Sequence, residues 1–335
     1  QDVINLGIGQ PDFKTPEHVV EAAVKALRDG HHGYTPAQGI PELRTAVSAD
    51  LNKRHGVEVD PGRVVIMPGG KPTMFFAVLM FGGPGTEIMY PDPGFPIYRS
   101  MIEYIGSKPV PIALREENGF AFSAEEVLAQ ITTATRLIII NTPGNPTGGA
   151  VPKEEIEKLA AGLEKHPDVA LMSDEIYSQM LYDGREHESL LKYPSLKDRL
   201  ILLDGWSKTY AMTGWRLGFS VWPDALVEPV VRLAVNCHSC VNAPTQYAGI
   251  AALEGPQDAV HEMVRAFDER RKVIVPALNQ LPGVTCVEPG GAFYAFPNIT
   301  GTGMNAKALQ NAMLEEAGVA TVAGTSFGIH GEGYI

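Results

Sequence analysis

The chain has 335 residues, 44% of them hydrophobic and 20% charged, with a formal net charge of −12 at pH 7. That length and mixture suit a soluble, enzyme-sized globular protein with one large domain, or one large and one smaller. An acidic balance with no basic tract argues against a nucleic-acid partner, no apolar run is long enough to span a bilayer, and no signal-peptide pattern opens the chain.

Thr15–Gly30 reads as an amphipathic helix with a glycine stop, and "GIPELRTAVSADLNKRHG" as a second, with Pro41 early and Gly56 at its end. From Arg63 to about Trp222, short apolar runs alternate with helical stretches. The runs are "RVVIMPGG", "TEIMYPDP", "RLIIINTPGNP", "VALMSDEIY", "RLILLDGWS" and "RLGFSVW". They are continuous rather than alternating, as strands buried on both faces are. Between them lie helices such as "KEEIEKLAAGLEKH", introduced by Pro152. The alternation predicts an α/β fold: a large domain with a mostly parallel sheet flanked by helices. After Gly255 a long charged helix runs to about Leu281. Two short strands follow, "VTCVEP" and "GAFYAFP", then a helix near "AKALQNAMLEEAG" and a strand, "VATVAG". This reads as a smaller α+β domain. The expected division is 31–255 for the large domain and 1–30 with 256–335 for the small one.

Ligands of such sheets bind beyond the carboxyl ends of the strands. There the sequence places Gly69, Gly70 and Lys71, then Asp92 to Phe95, Asn141 to Gly148, Asp174 to Tyr177, and Gly205 to Lys208. Singly these are turns, helix caps and core aromatics; together, on one edge of one sheet, they mark a site. In "LLDGWSKTYAMTGWRLGF", Lys208 has the Ser207 hydroxyl beside it and the Arg216 guanidinium shortly after. A hydroxyl and a guanidinium suit an anion such as phosphate and leave the amine free for chemistry. Cys237, Cys240 and Cys286 suggest no disulfide framework, and the single CxxC in "CHSC" has no second pair to complete a zinc site. They read as buried, reduced structural cysteines in a cytoplasmic protein.

The motifs "INLGIGQPDFKTPEHV", "GYTPAQGIPELR", "NTPGNPTG", "SDEIY", "SKTYAMTGWRLG" and "PGGAFYAFP" cover nearly the whole chain. In this order they resemble the pyridoxal-phosphate (PLP)-dependent aminotransferases of fold type I, class I/II. The resemblance implies that Lys208 forms the Schiff base with PLP and carries the substrate Cα proton. It implies that Asp174 pairs with the pyridine nitrogen, that Asn145 and Tyr177 bind the ring's phenolic oxygen, and that Phe95 stacks on the ring. Ser207, Arg216 and the amides around Gly70 and Lys71 would hold the phosphate at a helix N-terminus, with the Lys71 side chain left as surface charge. Gly9 would lie near the substrate, Asn145 would help hold its carboxylate, and Asn145–Pro146 is a candidate cis bond. Tyr34 would reach the phosphate of the neighbouring subunit in a homodimer.

The resemblance also implies a carboxylate-binding arginine directly after "GEGYI", where this sequence stops at Ile335, and a helix before Gln1. The chain therefore reads as one given without its ends, with a degenerate relative as the other reading. Arg232 and Arg265 read as solvated surface, and His238 as a satisfied structural histidine. The expected activity is transfer of an amino group between an L-amino acid, neutral or of broad type, and a 2-oxo acid. The alternative is a PLP-dependent β-lyase or synthase of the same fold. A regulator would need a basic DNA-binding segment, and a nicotinamide-dependent dehydrogenase would need a GxGxxG turn; neither feature is present.

Overall fold

The computed structural model describes residues 2–335. Among these residues nine strands run in chain order: β1 (Ile4–Asn5), β2 (Val64–Met67), β3 (Glu87–Asp92), β4 (Lys108–Ala113), β5 (Thr135–Asn141), β6 (Ala170–Asp174), β7 (Leu200–Gly205), β8 (Gly218–Val221) and β9 (Val319–Ala320). The helices are α1 (Glu17–Arg28), α2 (Pro41–His55), α3 (Lys71–Phe81), α4 (Ile97–Tyr104), α5 (Ala124–Ala129), α6 (Lys153–Leu163), α7 (Trp206–Thr209), α8 (Asp224–His238), α9 (Ala243–Glu254), α10 (Asp258–Leu278) and α11 (Ala306–Ala317).

Seven strands form one sheet in the order β2-β8-β7-β6-β5-β3-β4, and β1 pairs in parallel with β9 in a separate two-stranded sheet. Within the large sheet β8 alone runs against the direction shared by the other strands. The continuous apolar runs do what two-sided burial requires. Val64 and Ile66 enter a core with α2 and α9, whereas Val65 and Met67 enter one with α3 and α8 on the other face. Ile138 and Ile140 face a third core with α5 and α6. Each fully buried aliphatic side chain stabilises the fold by roughly 1.5–3 kcal/mol relative to exposure.

Helix ends follow their sequence signals. α2 starts at Pro41, and Gly56 after it is left-handed at φ 66°, its amide returning to the Asn52 carbonyl. Pro72 occupies the first turn of α3, where its missing N–H costs nothing.

Three expectations are corrected. β4 ("KPVPIA") is absent from the predicted strands because Pro109 and Pro111 disguise it; it lies at the sheet edge, where proline costs fewer ladder bonds. "VTCVEP" and "GAFYAFP" form only isolated bridges, Thr285 to Asn298 and Leu181 to Gly291. "VATVAG" pairs over just Val319–Ala320. Outside these three, α1 packs on α9 and joins the same core as α2.

Candidate active site

The register of the sheet sets Asn141 beside Asp174, Asp174 beside Leu203, and Gly205 beside Gly218. One carboxyl edge thus collects the ends of β5, β6 and β7 and the start of β8. Lys208 stands on α7, one turn beyond β7, and its Nζ donates to the Gly9 carbonyl at 2.5 Å. It also lies 5.6 Å over the Phe293 ring. Burial pulls the amine's pKa down to about 8, the Arg216 charge acts in the same direction, and Asp174 opposes both. An amine so tuned is partly neutral near physiological pH and able to act as nucleophile and base.

Asp174, buried at the end of β6, forms no ion pair among the described residues. Its carboxylate accepts from the Tyr98 hydroxyl at 2.5 Å and the Ile176 amide at 3.3 Å. Burial pushes its pKa up to about 6, against those two hydrogen bonds. A buried carboxylate without a counter-ion is costly, and a cationic ring nitrogen would remove that cost. Asn141 ties the neighbouring loops together: its Nδ2 donates to the Asp174 carbonyl at 3.0 Å and its Oδ1 accepts from the Asn145 amide at 2.9 Å. The Asn145–Pro146 bond is cis, as are Asp92–Pro93 and Thr142–Pro143. Tyr177 shares a 2.5 Å hydrogen bond with Tyr294. Burial raises the Tyr177 pKa well above the phenol range, Tyr294 adds to the rise, and the Asn145 side chain opposes it.

The groups expected to hold an anion are likewise without a charged partner among the described residues. Arg216 pairs with no carboxylate among the described residues; its guanidinium donates to the carbonyls of Thr213 at 2.6 Å and Pro68 at 3.4 Å. Gly69, at φ 87°, leaves room for it, since a Cβ there would stand 2.1 Å from Nη2. The Ser207 hydroxyl and the amides of Gly70 and Lys71 bond to no other group among the described residues. Phe95 meets Tyr98 edge-on at 6.0 Å, and the exposed Lys71 places its Nζ 5.7 Å from the Phe95 ring. A Cβ at Gly9 would come 2.7 Å from the Tyr294 hydroxyl.

These residues therefore converge, with one exception. Tyr34 is 93% exposed and borders a cavity of about 330 Å³ with Thr35, Val235 and Cys240. Tyr98 was not among the expected site residues. Its signal is its spacing, one helical turn after Phe95 at the start of α4. Arg265 is exposed and Arg232 forms an exposed pair with Glu228. Two readings are corrected. His238 is not hydrogen-bonded: its ring stacks on Phe76 at 6.2 Å, both nitrogens are unpartnered, and burial lowers its pKa. Cys237 is exposed rather than buried, while Cys286 is buried and its thiol is pushed up to about 11. Among the described residues, no group of His, Cys, Asp and Glu is arranged to hold a metal ion, and no helix is long and apolar enough to cross a membrane.

The family model "Aminotransferase class I and II" matches residues 1–335. The chain belongs to that family. This aminotransferase is 41% identical over its whole length to an aspartate aminotransferase of Pyrococcus horikoshii, of which it covers 85%. It is 40% identical to aromatic-amino-acid aminotransferase 2 of Thermococcus litoralis, covering all of this chain and 86% of the relative. Among solved structures, the aromatic aminotransferase from Pyrococcus horikoshii superposes with a TM-score of 0.96 at 39% identity, over 100% of this chain and 90% of the other. The aminotransferase therefore has the fold type I architecture of those neighbours, and it transfers amino groups; the lyase or synthase alternative is not favoured. Members of the family use PLP.

Proposed function

We propose that this aminotransferase binds PLP at the carboxyl edge of the sheet and moves an amino group from an L-amino acid to a 2-oxo acid in two half-reactions. The observation that carries the reading is a half-buried amine, Lys208, with a lowered pKa, set between a guanidinium and a buried carboxylate that each form no ion pair among the described residues. When bound, PLP supplies an aldehyde that condenses with amines and a ring that accepts electrons from the substrate Cα.

The chain's own groups do the rest. Lys208 provides the amine for the covalent link and then takes and returns the Cα proton. Asp174, oriented by Tyr98, pairs with the ring nitrogen and favours its protonated form. Tyr177 and Asn145 hold the phenolic oxygen, and Phe95 covers the ring face. Arg216, Ser207 and the Gly70 and Lys71 amides hold the phosphate, where the N-terminus of α3 adds a favourable dipole. Gly9 and Asn145 border the substrate. The site walls include Phe95, Phe293 and Tyr294, which suits neutral or aromatic side chains and a broad range of them.

We read the chain as two units, with 31–255 holding the cofactor and 1–30 with 256–335 forming the smaller one; the packing of α1 on α9 fastens the first segment to the larger unit. The working form is a homodimer in which the exposed Tyr34 reaches the neighbouring subunit's phosphate. Unpaired thiols suit a reducing compartment, and we place the enzyme in the cytoplasm. The test is a visible absorbance scan with PLP, followed by single amino acids. A band near the visible edge that bleaches with an amino acid and returns with a 2-oxo acid is expected. A band that persists, or release of ammonia instead of transfer, overturns the reading.

A further inference from the structure

Asp92 ends β3 with a side chain that is 0% exposed and has no part in the functions assigned above. Its carboxylate is nevertheless fully occupied. Oδ1 accepts from the His330 amide at 2.9 Å and lies 3.3 Å from His330 Nδ1; Oδ2 accepts from the Ile329 amide at 3.1 Å and the Tyr90 hydroxyl at 3.2 Å. Three of the four partners belong to one loop more than 230 residues away in the chain. The Gly94 amide adds a backbone bond to the Phe327 carbonyl at 2.8 Å. Gly328 passes so close that a Cβ would stand 2.3 Å from the Asp92 carboxyl carbon, and its φ of 140° disfavours other residues.

The far end of the same stretch is tied elsewhere. The Gly324 amide donates to the Tyr334 carbonyl, Ile299 to Gly333, and Ile335 to Pro297. Residues 324–335 thus form a strap between the sheet edge and the 297–299 segment, and Asp92 holds its sheet end three residues before Phe95. Charge-assisted bonds to backbone amides are among the stronger polar contacts available in a buried setting.

We propose that Asp92 is a positioning residue: by fixing the 327–330 loop against the segment that carries Phe95, it holds that aromatic ring in the place where it would cover the cofactor and so governs how tightly PLP is held. This rests on the reading under Proposed function. Asp92→Ala, Asp92→Asn and Gly328→Ala, each loaded with PLP, are compared with the parent enzyme for kcat, KM, PLP affinity and amide hydrogen exchange. Asp92→Ala is expected to weaken PLP binding about tenfold, while kcat at saturating PLP and KM for the amino acid change less than about threefold. Exchange should accelerate at Ile329 and His330. The Asn variant, whose carbonyl still accepts amide hydrogens, should recover most of the loss. Gly328→Ala should reproduce the same split, and the double variant Asp92→Ala/Gly328→Ala should be no worse than either alone. Unchanged exchange at Ile329 and His330, or equal losses in kcat, PLP affinity and thermal midpoint, overturns the proposal. A parent enzyme that transfers no amino group overturns the functional reading instead, and the exchange result then judges the strap by itself.

Discussion

Burial acts on the two central side chains in opposite chemical senses. It makes the Lys208 amine easier to deprotonate and the Asp174 carboxyl harder to ionise, so each is primed for what PLP would bring. For Lys208, the reactive neutral amine is the form above the pKa. The rate at which cofactor-free enzyme captures PLP should therefore rise with pH and level off above about 8, well below the ordinary lysine value; stopped-flow absorbance checks this. Lys208→Ala should still bind PLP without a covalent link and lose turnover by at least about 10⁴-fold.

For Asp174 the folded-state pKa is raised, so folding is favoured while the group is protonated, and that contribution disappears as pH climbs through about 6. Asp174→Asn should accordingly make the cofactor-free protein more stable at pH 7, by ~1–3 kcal/mol, while crippling transfer. Thermal denaturation of the cofactor-free form, alongside turnover of the loaded one, measures both. A destabilised variant would mean that the carboxylate is held by something other than Tyr98 and Ile176.

At the scale of elements, the site is assembled from strand ends and the turns that follow them, and it was legible for that reason. The runs ending in Asn141, Asp174 and Gly205 are apolar throughout, so their polar termini stand out in the sequence. β4 was hidden because its prolines imitate a loop, and only its edge position makes them tolerable. The strands predicted at "VTCVEP" and "GAFYAFP" failed because extended, apolar chain can be stabilised by side-chain packing and single bridges without forming a ladder. Tyr98 was missed because a tyrosine early in a helix has many uses, and only the sheet brings it to Asp174. The turn between β2 and α3 offers a direct test. Gly69→Ala adds a Cβ at positive φ and against Arg216, and should weaken PLP binding at least about tenfold while the Asp174 end of the site keeps its spectrum. Titration of PLP against both proteins decides it.

At the scale of the whole molecule, the exposed Tyr34 makes a prediction that one subunit cannot satisfy. In the proposed homodimer, Tyr34→Phe should weaken PLP binding several-fold without changing sedimentation. Mixed with Lys208→Ala subunits, it should regain part of the lost affinity. A hybrid dimer holds one site with both an intact Lys208 and the neighbour's intact Tyr34. Absence of any recovery on subunit exchange would place Tyr34 outside the cofactor's reach.

The single antiparallel strand in the large sheet has a mechanical consequence. Because β8 runs against β7, the chain leaves the sheet at Gly205 and re-enters it at Gly218 on the same edge, directly alongside. Lys208 and Arg216 are therefore mounted near the two feet of one short arch, so the pairing of β7 with β8 sets the backbone span between amine and guanidinium. In the proposed complex, the arch would measure PLP from its phosphate to its reactive carbon. A cofactor analogue with one extra methylene in its phosphate arm would seat its anion and overshoot the amine, and one residue inserted between Thr209 and Gly214 would recalibrate the gauge without touching any side chain that grips the ligand.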